Sequence, residues 1–121
     1  MTDGESPIRV LLVDDSDVYR DSLVFLLSTR AGLDVVDAVR DGAAAIRAVQ
    51  AHSPDVVVLD YRLPDIDGGA VAAEIDAAIV FLSASAGRAE YDAASSAGAS
   101  LVRKDEGIDA LVRAVRAAAG R

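Results

Sequence analysis

The chain has 121 residues, 52% hydrophobic and 26% charged, enough for one packed core and too few for two domains. Twenty acids against twelve bases give a net charge of −8, which argues against a segment that grips nucleic acid by itself and permits a cation site. The lack of cysteine excludes a disulfide scaffold and a thiolate metal centre.

Residues 1–7, Met1 to Pro7, are polar and acidic, and they read as a flexible segment rather than a signal peptide. No apolar run approaches the roughly 18 residues of a membrane span, so a cytoplasmic location with no membrane partner is expected. Ile8 to Val13 is short, apolar and partly β-branched, hence a strand, and it stops at Asp14 and Asp15. Ser16 or Asp17 can cap a helix carrying Val18, Tyr19, Leu23, Leu26 and Leu27 at helical spacing on its apolar side. Gly32 is expected to end that helix, and Leu33 to Val39 reads as a second strand. Asp41-Gly42 opens a second helix with Ala45, Ile46 and Val49 on one face, and Pro54-Asp55 breaks it.

Val56 to Leu59 is a continuous apolar strand ending at Asp60. A short helix over about 69–76, a strand over Ile79 to Leu82, a helix over about 88–97 stopped by Gly98, a brief strand over Leu101 to Arg103 and a helix over Ile108 to Ala119 follow. Five strands alternating with five helices, the strands apolar throughout, predict an α/β parallel sheet covered on both faces. In such sheets chemistry gathers beyond the carboxyl ends of the strands. The polar residues that fall there are Asp14, Asp15, Asp60, Ser83 and Lys104, the last being the sole lysine beside eleven arginines.

Three carboxylates in one pocket repel each other unless a cation offsets them. Oxygen ligands without histidine or cysteine select a hard ion, Mg²⁺ or Mn²⁺, and Mg²⁺ keeps coordination positions for phosphate oxygens. Lysine and serine suit those oxygens as a point charge and a hydroxyl donor, and a carboxylate beside such an ion can be the nucleophile of an acyl phosphate. The plainer alternatives are a helix cap for Asp15 or Ser16, a solvated Lys104 and a loop hydroxyl at Ser83. The first strand is followed by acids rather than by a glycine-rich loop, so dinucleotide and P-loop readings fail. His52 reads as a solvent-facing residue, and Tyr19, Tyr61 and Tyr91 as packing residues.

Ile8-Arg9-Val10-Leu11-Leu12-Val13-Asp14-Asp15, the stretch Asp60-Tyr61-Arg62-Leu63-Pro64-Asp65-Ile66-Asp67-Gly68, the run Phe81-Leu82-Ser83-Ala84 and the segment Gly98 to Lys104 resemble the receiver domain of two-component response regulators, over about residues 8–119. The resemblance implies a flavodoxin-like three-layer sandwich with strand order 2-1-3-4-5. It implies Asp60 as the phosphorylated residue, and Asp14, Asp15, Asp60 and the Arg62 backbone carbonyl as the metal ligands. It further implies Ser83 and Lys104 as the groups that bind the phosphoryl oxygens. A sensor histidine kinase is the implied donor, and a homodimer through the fourth helix, fifth strand and fifth helix a possible partner state. Gly32 to Ala38, Asp41-Gly42 and Asp105 after Lys104 resemble the subgroup whose output is a LuxR-type helix-turn-helix.

Three features depart from the family pattern. Asp60 to Ser83 is short by about two helical turns, so the third helix is stunted. Gly98 to Lys104 is one residue short, and the switch position three before the lysine holds Leu101 instead of an aromatic ring. The competing readings are a constitutive interaction module that keeps the fold without phosphate control, and a small-molecule phosphatase. The second would need an acid where Arg62 stands.

Overall fold

The computed structural model describes residues 6–84 and 87–121; residues 1–5 of the expected flexible segment lie outside the described residues. Five strands, β1 (Ile8–Val13), β2 (Leu33–Val39), β3 (Val56–Asp60), β4 (Ala78–Ser83) and β5 (Ser100–Arg103), form one parallel sheet in the order β2-β1-β3-β4-β5. The helices are α1 (Asp17–Ser28), α2 (Gly42–His52), α3 (Gly68–Ala73), α4 (Arg88–Ser96) and α5 (Ile108–Ala118), with a 3₁₀ turn over Lys104–Glu106.

Alternate strand residues point to opposite faces, and both faces are covered. Val10, Leu12, Val56, Val58, Val80 and Leu82 pack under α1 and α5 with Leu23, Leu27, Leu111 and Val115. Leu11, Val13, Val57, Leu59 and Phe81 pack under α2, α3 and α4 with Ala45, Val71 and Ala94. That is the expected three-layer sandwich, and it sets every strand's carboxyl end on one rim.

Several local expectations need correction. α1 ends at Ser28 with Thr29 as its cap, and Gly32, at φ +78°, serves the turn into β2 instead. Val18 is 80% exposed and Leu26 also faces outward, while Leu23 and Leu27 carry the buried stripe. At about 100° per residue Val18 lies far around the helix from Leu23, so the two cannot share one face. Tyr91 is 47% exposed rather than packed. α3 is shorter still than expected, ending at Ala73. Gly68 opens α3 where the chain passes itself: a Cβ there would lie 2.8 Å from Tyr61 Cα, and the Gly68 N–H donates to the Tyr61 carbonyl at 2.8 Å. Only glycine permits that approach.

Candidate phosphoacceptor site

Asp14 follows β1, Asp60 closes β3, Ser83 closes β4 and Lys104 follows β5, so parallel pairing alone lines them along the rim. Asp14, Asp60 and Ser83 are buried, and Asp15 is exposed. Asp14, Asp15 and Asp60 each place a carboxylate oxygen within 4.8 Å of the others. The Lys104 ammonium lies 2.9 Å from Asp14 Oδ2 and 3.3 Å from Asp60 Oδ2. Lys104 is therefore no solvated surface residue.

The turns that present these groups are pinned. Asp14 Oδ1 accepts from the Ser16 N–H at 2.9 Å, and the Ser16 hydroxyl accepts from the Tyr19 N–H at 3.3 Å, so Ser16 caps α1 and leaves Asp15 to the acid cluster. Arg20 donates to the Asp14 carbonyl at 2.7 Å and pairs with Asp17 at 2.6 Å, clamping the first turn of α1 to β1. The Arg62 N–H donates to Asp60 Oδ1 at 3.0 Å. Asp65 accepts from the Gly42 and Ala43 N–H groups at 2.8 and 3.0 Å, which moors the loop after β3 to the amino end of α2.

Burial pushes the Asp60 carboxyl above its ordinary range, against the lowering influence of the Arg62 N–H and of Lys104. Burial alone would pull the Lys104 ammonium down, but Asp14 and Asp60 outweigh it and hold it above its usual value. Asp14 Oδ2 is buried and has no directed hydrogen bond; Lys104 meets it as an ion pair off the hydrogen-bond direction. A buried oxygen without a directed donor, among carboxylates and no nitrogen or sulfur ligands, fits a hard divalent cation.

Sequence reasoning missed four participants. Arg20 and Asp65 act on backbone groups: Arg20 on the Asp14 carbonyl, and Asp65, inside the quoted Asp60 to Gly68 stretch, on N–H groups 22 and 23 positions away. Glu90 on α4 is buried, and the exposed guanidinium of Arg62 reaches it at 3.4 Å. The Tyr19 ring, expected only to pack, lies under the Lys104 ammonium at 4.3 Å from its centroid. Tyr61 does pack as expected, edge-on to Phe81 at 5.8 Å between centroids. Leu101 is half-buried, opposite Phe81 across β4 and β5. His52 sits at the other end of the molecule, half-exposed and 3.3 Å from Asp37, with its carbonyl accepting from Arg9 at the start of β1.

The chain is similar to proteins of one family. Residues 10–116 match the family model described as the response regulator receiver domain. The transcriptional regulatory protein NarL of Mycobacterium tuberculosis is 37% identical over 114 residues, which covers 89% of this chain and 53% of that protein. The chain thus spans about half the length of that curated relative. The solved receiver domain of NarL from the same organism superposes with a TM-score of 0.87 at 36% identity, covering 97% of this chain and 100% of that one. A LuxR-family response regulator from Aurantimonas sp. SI85-9A1 gives 0.88 at 33% identity over 96% and 88% of the two chains. A chain of the CheX–CheY–BeF₃–Mg²⁺ complex from Borrelia burgdorferi gives 0.83 at 25% identity over 97% and 92%. With the strand order, the acid rim and a family match spanning nearly its whole length, the chain belongs to the response regulator receiver domains, the phosphoacceptor modules of two-component signalling.

Proposed function

We propose that Asp60 is the phosphoacceptor and that a sensor histidine kinase is the donor. The observation that carries this is the convergence of Asp14, Asp15 and Asp60 within 4.8 Å, with Lys104 at 2.9 and 3.3 Å from two of them. An Asp60 carboxylate oxygen attacks phosphorus, the bond from phosphorus to the donor's histidine nitrogen breaks, and that nitrogen keeps the electron pair. The product is a mixed anhydride on Asp60. Lys104 and Ser83 hold the phosphoryl oxygens. Asp14, Asp15, Asp60 and the Arg62 backbone carbonyl would hold Mg²⁺ (or Mn²⁺), which when bound supplies positive charge against the carboxylates and the phosphoryl oxygens. The Borrelia relative solved with Mg²⁺ and a phosphoryl mimic supports the same ion here.

The domain does not act as a separate enzyme on this reading; slow self-phosphorylation from small donors and slow hydrolysis are side reactions of the same site. Arg62 stands where phosphatase work would need a second acid. The receiver unit occupies residues 8–119 of a cytoplasmic protein. Its output is transcriptional, as the names of its relatives suggest, and a homodimer through α4, β5 and α5 carries the response. No helix among the described residues is long and apolar enough to cross a membrane. Acetyl phosphate with Mg²⁺ should add one base-labile phosphoryl group, visible by intact mass, and Asp60→Asn should abolish it. Persistent modification of Asp60→Asn at a similar level would overturn the assignment.

A further inference from the structure

We propose that Tyr19 is a positioning residue: the face of its ring holds the Lys104 ammonium at the phosphoryl site. The proposal rests on the reading of Asp60 as phosphoacceptor and deepens it. The ammonium lies over the ring at 4.3 Å from the centroid, well inside the roughly 6 Å reach of a cation–π contact. The ring is half-buried, which strengthens such a contact by excluding water.

Two features make the contact more than incidental. Lys104 has a long flexible stem, and beside that stem a cavity of about 180 Å³ opens between α1 and α5, lined by Leu23, Leu26, Ile108 and Leu111 as well as Tyr19. Those four side chains carry no charge that could hold an ammonium, and Arg103, which also lines the cavity, is itself a cation. The Lys104 ammonium also pairs with Asp14 and Asp60, the carboxylates a divalent cation would take. A ring's quadrupole does not change when those charges are neutralised. The ring therefore retains the ammonium when its acid partners are shared with a metal, which is when the phosphoryl oxygens need it.

The ring also stands on a rigid base. Tyr19 lies in the first turn of α1, its N–H on the Ser16 cap at 3.3 Å, and the next residue, Arg20, is clamped to the Asp14 carbonyl. A side chain so rooted can fix a flexible neighbour without losing much entropy of its own.

The single lysine of the sequence makes the contact directly observable. Protein carrying ¹³C,¹⁵N-lysine gives one ε-methylene signal. Ring current should displace it upfield in the native protein and in Tyr19→Phe, with and without Mg²⁺. In Tyr19→Leu it should return to the position of an unstacked lysine. The initial rate of phosphorylation by acetyl phosphate at saturating Mg²⁺ should fall about threefold to tenfold in Tyr19→Leu and less than about twofold in Tyr19→Phe. Tyr19→Met replaces Tyr19→Leu, with the same expectation, should the latter not fold. In a Lys104→Gln background Tyr19→Leu should add no further loss.

An unshifted native ε-methylene overturns the proposal. So does a Tyr19→Phe rate as low as that of Tyr19→Leu, or a Tyr19→Leu rate equal to the native one. If the native protein accepts no phosphoryl group at Asp60 while the ring-current pattern holds, the positioning stands and the phosphoacceptor assignment fails.

Discussion

The two sides of the acid rim are built differently. On the β1–β3 side, hydrogen bonds from Ser16, Arg20, Arg62 and Lys104 fix Asp14 and Asp60, and the loop after β3 is tied to α2 through Asp65. On the β4–β5 side, the Arg103 N–H donates to Glu106 at 2.7 Å and Arg62 reaches Glu90 at 3.4 Å, but α4 opens at Gly87 with no side-chain cap and buries only Glu90 and Ala94. The short α3 adds only Gly68 and Val71 as buried residues. Chemistry needs groups held in place before the reaction, whereas a reporter must have two arrangements of similar energy. The pinned side suits phosphoryl transfer and the lightly held side suits its readout.

The largest expected effect tests the pinned side. If the three carboxylates share an ion, Mg²⁺ at about 100 times its dissociation constant should add about 2.7 kcal/mol to the stability. Thermal unfolding with and without the ion reads this as a rise in Tm. Asp15→Asn should lose most of the gain while leaving the apo fold intact, because Asp15 is exposed. A Tm that ignores Mg²⁺ would remove the metal from the pinned side.

A smaller effect of opposite sign follows from burial. The Asp60 carboxyl is raised above its unfolded value, so ionising it costs stability as pH climbs from the ordinary aspartate range through the folded value. Asp60→Asn removes that cost, and Lys104 keeps Asp14 at 2.9 Å as a partner. The variant should therefore melt higher than the native apo protein at neutral pH, and the difference should vanish at pH below the ordinary aspartate range. With Mg²⁺ the order should reverse. Equal melting curves at both pH values would mean the pinned side carries no electrostatic strain.

How much of this could be read from residues alone does not divide along the same two sides. Asp14, Asp60, Ser83 and Lys104 were legible because each ends an apolar run, and parallel pairing then forces run ends to one rim. The 3₁₀ turn over Lys104–Glu106 was not, since Lys104-Asp105-Glu106 is as polar as any loop. The face of α1 misled because it carries apolar residues all around: Val18 and Phe25 point outward while Leu23 and Leu27 point in. Tyr19 under Lys104, Asp65 at α2 and Arg62 at Glu90 join residues between 23 and 85 positions apart. No local pattern encodes such contacts. Glu90 in particular reads as one more charge on a helix, and only the packing of α4 reveals that it is buried.

The smallest expected effect concerns the lightly held side. Leu101 has neither hydroxyl nor ring, so it has no aromatic edge to swing between outward and inward positions. Its neighbours are Phe81 across the sheet and the cluster that includes Ala94 of α4. A phosphoryl group on Asp60 can then act on this side only by drawing in Ser83 and its loop, which repacks α4 against β5. A ligand shifts an equilibrium only by its difference in affinity for the two states, and a relay without a ring makes that difference small. Phosphorylation should therefore move the native protein only part of the way from monomer to dimer. In Leu101→Tyr the ring adds a buried and an exposed rotamer to the switch, so the shift should grow a few-fold, on the order of 1 kcal/mol. Sedimentation of both proteins with and without beryllofluoride measures the difference. Full dimerisation of the native protein, with nothing gained in Leu101→Tyr, would place the readout elsewhere than on α4 and β5.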